Sequence, residues 1–117
     1  MIRVKRAYEA PDEGDGLRVL VDRLWPRGLN KEGARLDFWA KELAPTEDLR
    51  KWFGHDPQRW REFKRRYFKE LRQKKAWIDT FLECAKGKTI TLVYAAKADK
   101  FNNALALKEY LEKESSK

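Results

Sequence analysis

The chain has 117 residues, of which 42% are hydrophobic and 13% aromatic, so it suits one small globular domain and is not a disordered chain. Its net charge of +8 favours acidic partners such as phosphate-bearing molecules or nucleic acids, although a solvated charged surface explains the same excess. No apolar stretch approaches the roughly 20 residues of a membrane span, and the charged start is unlike a signal peptide. We therefore expect a cytoplasmic protein with no membrane partner.

The first half of the chain predicts two strands followed by short helical segments. Residues Ile2–Tyr8 alternate apolar and basic side chains, as in a half-buried strand, and an acidic loop rich in proline and glycine follows. A second strand is predicted over Leu17–Leu24, although charged residues interrupt its apolar run. Asn30 is placed to cap a short turn, and Leu36–Leu43 has a helical pattern that ends before a proline. Thr46 then caps another short helix that ends at a glycine.

The second half predicts a long helical stretch, a buried strand and a last helix. Apolar side chains recur at helical spacing over residues 57–86, so this stretch is one helix or two with a kink near Lys74. Thr89–Ala96 is nearly all apolar after its start, as in a central strand covered on both faces. Phe101–Lys113 closes the chain as a helix. The predicted order is β-β-α-α-α-β-α, which indicates a single α/β domain over residues 1–117 with a largely parallel sheet of about three strands.

The segment Asp22–Gly28 places two guanidinium groups, a carboxylate and an indole at the end of the second strand. Ligands of parallel sheets gather beyond the carboxyl ends of the strands, and arginine forks bind phosphate or carboxylate groups. Arginine and lysine side chains there would hold an anion, while a tryptophan or tyrosine ring would stack on a planar group. The predicted ligand-binding residues are Arg23, Trp25, Arg27, Tyr94, Lys97 and Asn102. The alternatives are an internal ion pair of Asp22, a core position for Trp25 and a simple helix cap at Asn102.

Only His55 titrates near neutrality without help from its surroundings. His55 and Asp22 are therefore the candidate catalytic residues if the chain is an enzyme, a question that the sequence leaves open, and a local backbone hydrogen bond is the alternative for His55. There is no glycine-rich phosphate loop, nucleophile elbow or metal-ligand cluster, so we expect no metal and no cofactor. The single cysteine, Cys84, excludes an intramolecular disulfide, and we expect it to be a buried, unreactive thiol.

Many lysine and arginine residues lie on the polar side of the stretch 57–86, which makes it a candidate surface for nucleic acid. These residues spread around most of the polar circumference, however, and Glu62 and Glu70 are interspersed among them. A solvated face is the alternative interpretation.

Three motifs resemble the YeaO-like branch of the DUF488 proteins over about residues 2–111. They are Asp22-Arg23-Leu24-Trp25-Pro26-Arg27-Gly28, Trp52-Phe53-Gly54-His55-Asp56-Pro57 and Tyr94-Ala95-Ala96-Lys97, the last followed by Asn102 and Ala104. The resemblance implies a small α/β domain from bacteria or archaea without an established activity. It also implies that Asp22, Arg23, Trp25, Arg27, His55, Tyr94 and Asn102 belong to any shared surface. Relatives often carry an acid and a second histidine where this chain has Ala98 and Asn103.

The sequence thus favours a protein that binds a small anionic ligand, phosphate-like or nucleotide-like, in a basic and aromatic cleft. One alternative is a nucleic-acid-associated protein that uses the basic helix 57–86. The other is a structural or self-association module in which the aromatic motifs form the core. The oligomeric state is left open.

Overall fold

The computed structural model describes residues 1–116. Within these residues there are four strands and five helices, and three short 3₁₀ turns lie at Glu13–Asp15, Lys41–Leu43 and Pro57–Arg59. The strands are β1 (Ile2–Arg6), β2 (Leu17–Leu20), β3 (Phe38–Trp39) and β4 (Ile90–Tyr94). The helices are α1 (Lys31–Ala34), α2 (Glu47–Phe53), α3 (Trp60–Arg72), α4 (Lys75–Cys84) and α5 (Asn103–Ser115).

The strands form one parallel sheet in the order β1-β4-β2-β3, which confirms the predicted α/β class. β4 lies between β1 and β2, with Leu92 paired to Val4 on one side and Val19 on the other. All five residues of β4 are buried, as expected for a central strand of a parallel sheet. The carboxyl ends of β1, β2 and β4 therefore lie at the same edge of the sheet.

Helices α2 to α5 supply most of the larger core, on one face of the sheet. Phe53, Phe63 and Tyr67 form a run of contacting rings within it, with centroids 4.2 and 5.5 Å apart. The other face has a small cluster of Ala7, Leu20 and Val93, covered in part by Trp25 and Trp39 and by two leucines. These two tryptophans meet edge to face with centroids 5.5 Å apart.

The rest of that second face is polar and centres on the buried carboxylate of Asp15. Arg18 of β2 donates to it at 2.6 Å, and Lys5 of β1 lies 3.2 Å away. Arg3 lies farther off at 3.8 Å and is partly exposed. The basic residues that alternate along β1 and β2 thus converge on one carboxylate, which ties the Glu13–Asp15 turn to the sheet. Thr91 adds a hydrogen bond from its hydroxyl to the Asp15 carbonyl.

Two of the element predictions are wrong, and for residues 57–86 the alternative of two helices is the correct one. Leu36–Leu43 is not helical, because Phe38 and Trp39 pair with β2 as a fourth strand before the Lys41–Leu43 turn. The sheet therefore has four strands, and the order is β-β-α-β-α-α-α-β-α. The second strand ends at Leu20 and not at Leu24. The stretch 57–86 is two helices after a 3₁₀ turn, and the break falls at Gln73 and Lys74, near the predicted kink.

Several local signals are confirmed by the structure. Asn30 caps α1, and Thr46 caps α2, which ends at the left-handed Gly54. Cys84, by contrast, is exposed, so the prediction of a buried thiol is wrong. Among the described residues, no helix has the length and apolar character needed to cross a bilayer.

Candidate functional site

A pocket of about 250 Å³ opens at the carboxyl edge of the sheet. Its size lies just below the roughly 300–1,000 Å³ of pockets that hold drug-sized ligands, so it suits a small molecule or one part of a larger one. Its polar lining consists of Asp22, Arg23, Arg50, His55 and Asn103. The apolar lining comes from Leu24, Trp25, Pro26, Ala44, Pro45, Phe53, Phe63, Ala95 and Ala96.

The pocket lies where β2 and β4 stop pairing through their backbones. Val21 still donates to the Val93 carbonyl at 3.0 Å, and the next step of a parallel ladder would join Ala95 N–H to the Val21 carbonyl. Instead, Ala95 N–H donates to Asp22 Oδ2 at 2.9 Å, while Asn103 Nδ2 donates to the Val21 carbonyl at 3.0 Å. Two side chains thus replace one backbone hydrogen bond, and the pocket lies beside this replacement.

Asp22 is held in place by donors on both carboxylate oxygens. Asn103 Nδ2 lies 3.3 Å from Oδ1, and Ala95 N–H bonds to Oδ2. Burial raises the pKa of Asp22 above its ordinary value, and these hydrogen bonds only partly offset that effect. The positive charges of His55 and Arg50 act in the same direction as the hydrogen bonds. Asp22 is therefore a partly desolvated acceptor at the wall of the pocket.

His55 sits in the corner between α2 and the Pro57–Arg59 turn. Its backbone is left-handed, with φ of 57°, directly after the left-handed Gly54. Burial lowers the pKa of His55, the charge of Asp22 opposes this shift, and the charge of Arg50 adds to it. The ring also lies 5.6 Å from that of Phe53. The corner thus presents a mainly neutral imidazole to the pocket near neutral pH.

Side chains of α3 and of the residue that precedes α4 hold the segment 42–46, which contributes Ala44 and Pro45 to the pocket lining. Tyr67 and Lys74 donate to carbonyls of the Lys41–Leu43 turn. Glu70 accepts from the backbone N–H of Thr46 at 3.0 Å and from its hydroxyl at 2.7 Å. The spacing of these residues along the chain places them on one side of α3 and its continuation, so a single helix face positions the whole segment.

The two arginines of the Asp22–Gly28 segment have different positions in the structure, one at the pocket and one away from it. Arg23 lines the pocket and donates from Nε and Nη2 to the Pro45 carbonyl at 3.3 and 3.2 Å. Trp25 also lines the pocket, and its Nε1 donates to the Leu29 carbonyl at 3.1 Å. Arg27 is exposed and is not among the pocket-lining residues. The segment therefore contributes Asp22, Arg23 and Trp25 to the pocket and turns Arg27 away.

The pocket does not include three other predicted ligand-binding residues, Tyr94, Lys97 and Asn102. Tyr94 packs into the larger core, and Lys97 is exposed on the loop after β4. Asn102 is fully buried as the cap of α5, where it accepts from Leu105 N–H and donates to the Ala98 carbonyl. The geometry therefore supports the alternative interpretation of Asn102 as a simple helix cap.

The sequence places Asn103 beside Asn102 near the site without selecting it as a ligand-binding residue, and it does not single out Arg50. Two adjacent asparagines open α5, and only one of them can be the cap. The amide of the other is left to bond elsewhere, which was the available signal for Asn103. Arg50 carried no signal, because its place beside Asp22 and His55 depends on how α2 packs.

Three of the six basic residues of α3 are paired with carboxylates. Arg65 and Arg66 both bond to Glu62, at 2.6 and 2.7 Å, and Lys64 lies 3.2 Å from Glu109. These pairs offset part of the charge that a nucleic-acid surface would present to phosphates.

A family model described as "Inactive DUF488-N3 subclade" matches residues 1–117. The uncharacterised protein YeaO of Escherichia coli K12 is 40% identical over 110 residues, which cover 94% of this chain and 96% of that protein. The uncharacterised proteins Mb3100c of Mycobacterium bovis and Rv3073c of Mycobacterium tuberculosis are each 50% identical over 70 residues, 60% of this chain and 59% of theirs. No solved structure matches the chain significantly.

Proposed function

The chain belongs to the DUF488 family, in its YeaO-like branch, and from this premise we propose that it binds a small anionic ligand with a planar part. The observation that carries the proposal is the pocket itself, where two guanidinium groups and an imidazole share one small cavity with aromatic walls. A phosphate-like or nucleotide-like molecule has this combination of charge and flat apolar surface.

Arg50 and Arg23 are the anion-binding groups in this proposal. The nearest carboxylate to Arg50 is Glu47, at 3.9 Å, so this ion pair is loose and the guanidinium is accessible. Arg23 already uses Nε and Nη2 on a main-chain carbonyl, and that bond holds its guanidinium at the pocket wall. A ligand that replaces water on these groups gains charge-assisted hydrogen bonds without reorganising the protein.

The planar part of the ligand would lie against the aromatic side of the pocket. Trp25 is half-buried and is fixed by its indole hydrogen bond and by its contact with Trp39, so it offers the main ring surface. Phe53 and Phe63, which stack with centroids 4.2 Å apart, line the pocket but are almost fully buried. Such fixed rings lose little conformational freedom when a flat ligand packs on them.

We propose binding without turnover as the role of this pocket. The matching subclade is described as inactive, and that description favours a binding protein. The pocket-lining residues within the described part of the chain include no serine, threonine, cysteine or lysine, so a hydroxyl, thiol or amine nucleophile from these residue types is not at hand. Asp22 and His55 remain the groups able to exchange a proton with a ligand, as the sequence predicts.

The test is NMR titration of the ¹⁵N-labelled protein with inorganic phosphate and with the four nucleoside 5′-monophosphates. We expect shifts that centre on the amides of Ala95 and Asn103 and on the ring of His55. Arg50→Gln should weaken binding about tenfold or more, since hydrogen bonds to charged groups contribute roughly 1.5–3 kcal/mol. Arg72→Gln, which removes the same charge at the far end of α3, is the matched control and should bind normally.

Two results would contradict the proposal. One is that no probe shifts the pocket resonances at millimolar concentration. The other is that the shifts follow α3 instead, with generic oligonucleotides binding in a strongly salt-dependent way, which would favour the nucleic-acid alternative.

A further inference from the structure

The pocket holds one feature that an anion alone does not explain, which is the carboxylate of Asp22 on its wall. The carboxylate repels the anionic group of a ligand, and a favourable contact with another part of the ligand would offset that repulsion. We propose that Asp22 accepts a hydrogen bond from an N–H group of the ligand and that Asn103 is the residue that positions it. This inference rests on the proposed function and deepens it.

The hydrogen-bond pattern around Asp22 assigns it the role of an acceptor. Its two structural partners, Ala95 N–H and Asn103 Nδ2, are both donors, one to each oxygen. Burial raises the pKa of Asp22, and the donors on both oxygens oppose that shift by favouring the carboxylate. Each oxygen of a carboxylate has room for about one further hydrogen bond, and the group lines an open cavity. A ligand N–H therefore has a carboxylate acceptor whose direction the protein fixes.

Asn103 holds this acceptor by bonding at two points with one amide nitrogen. Its Nδ2 lies 3.0 Å from the Val21 carbonyl and 3.3 Å from Asp22 Oδ1. The residue stands at the first position of α5, directly after the cap at Asn102, so the helix fixes where the amide points. Asn103 thus joins the end of β2 to the start of α5 and sets the direction of the carboxylate.

The class of ligand follows from this arrangement. It carries an amide-type or amidine-type N–H on its planar part and an anionic group for Arg23 and Arg50. The base and phosphate of a nucleotide have this combination, whereas inorganic phosphate and simple carboxylic acids supply only the anionic half. Sites that bond a ligand N–H discriminate against analogues that lack it, because the partly buried carboxylate then loses that hydrogen bond together with its contact to water.

The first test compares matched probes on the wild-type protein by calorimetry. UMP is set against its N3-methyl derivative, and AMP against its N6,N6-dimethyl derivative, since each methylated probe keeps the phosphate and loses the N–H donor. We expect at least one unmethylated probe to bind about tenfold more tightly than its methylated partner. Asp22→Asn should reduce that preference to within about twofold and leave the affinity for inorganic phosphate no weaker. Asp79→Asn, an exposed carboxylate of α4, is the matched control.

The second test follows the positioning role without a ligand. His55 is the only histidine, so its ring signals give a clean titration curve. The charge of Asp22 raises the pKa of His55 in the native protein, while burial and Arg50 lower it. Asn103→Leu should lower the pH midpoint of the His55 titration toward the midpoint measured in Asp22→Asn. Asn103→Gln should restore part of the difference from the wild type. A midpoint in Asn103→Leu equal to the wild type would overturn the role of Asn103.

The outcomes separate this inference from the function on which it rests. If the nucleotides bind at the pocket but methylation and Asp22→Asn have no effect on affinity, the inference is wrong and the proposed function stands. If neither phosphate nor any nucleotide binds there, both are wrong. The ligand comparison uses the wild-type chain, so poor folding of a variant does not remove the test.

Discussion

Replacing Asp15 by asparagine should cost this protein a large part of its stability. The Asp15 carboxylate is 1% exposed and touches Arg18, whose own side chain is 4% exposed, at 2.6 Å. Arg18 Nη2 already has no hydrogen-bond partner within the described chain, so the loss of Asp15 leaves a buried guanidinium with still less compensation. Breaking a buried pair in this way costs about 3–5 kcal/mol, and the retained amide oxygen favours the lower figure.

Urea unfolding followed by far-ultraviolet circular dichroism measures this loss. A decrease of about 3 kcal/mol at a slope of about 2 kcal/mol per molar urea lowers the midpoint by about 1.5 M. Arg3→Gln is the control, because this partner is 42% exposed and 3.8 Å away, and its removal should change stability by less than about 1 kcal/mol. A loss below about 1 kcal/mol for Asp15→Asn would refute the argument that this cluster organises the second face of the sheet.

The pH dependence gives an independent check. Burial alone would raise the pKa of Asp15, but hydrogen bonds from Lys5, from the Asp12 backbone and from Arg18 outweigh it and leave the pKa below 3.8. The ionised carboxylate therefore contributes its full stability above the unfolded value, and this contribution is lost as the pH falls from there through the folded value. Asp15→Asn should lack this acid-labile component.

Two further substitutions test the backbone at Gly16 and the titration of His55. Gly16→Ala should destabilise by more than about 3 kcal/mol in the same urea assay, because a Cβ there would lie 2.2 Å from the Thr89 carbonyl at a φ of 64°. Gly28→Ala, with φ of 75° and open space around it, should cost only about 1–2 kcal/mol, and equal losses would contradict the close approach at Gly16. The lowered pKa of His55 means that its contribution is full above the unfolded value of 6.5 and is lost as the pH falls from there toward the folded value. His55→Asn, which tolerates the left-handed backbone, should lose less stability than the wild type between pH 7 and 5 in thermal unfolding, and parallel curves would count against a shifted histidine.

Local signals in the sequence were enough to locate most elements but not the edge of the sheet. Asn30, Thr46 and Gly54 act within a few residues of themselves, so their roles as caps follow from residue type and position. Phe38 and Trp39 form a strand because the edge of β2 is available for pairing. The residues around Leu36–Leu43 carry no local pattern that indicates this pairing. Short apolar segments of this kind take the structure that their tertiary partner imposes.

The same limit explains the mixed result for the site. Asp22, Arg23, Trp25 and His55 were predicted from their chemistry, and the structure brings them to one pocket. The sequence places Asn102 and Asn103 together at the start of the last helix, and Asn102 was selected because it matches the family motif. A helix cap is a satisfied residue, however, and a poor candidate for binding a ligand. The role of Asn103 depends on the end of β2, which is distant in sequence.

The end of β2 connects fold and function through one exchange of hydrogen bonds. A backbone pair between Val21 and Ala95 would have extended the strand and brought β2 and β4 together up to the sheet edge. Instead, the Asp22 carboxylate accepts from Ala95 N–H and the Asn103 amide donates to the Val21 carbonyl. The strands therefore separate one step early and leave space between them. The charged residue that makes Leu17–Leu24 a poor strand is thus the residue that ends it. With a hydrophobic residue in place of Asp22, β2 and β4 should pair one step further and close the inner end of the pocket. The point at which the two strands separate is therefore part of the proposed binding site.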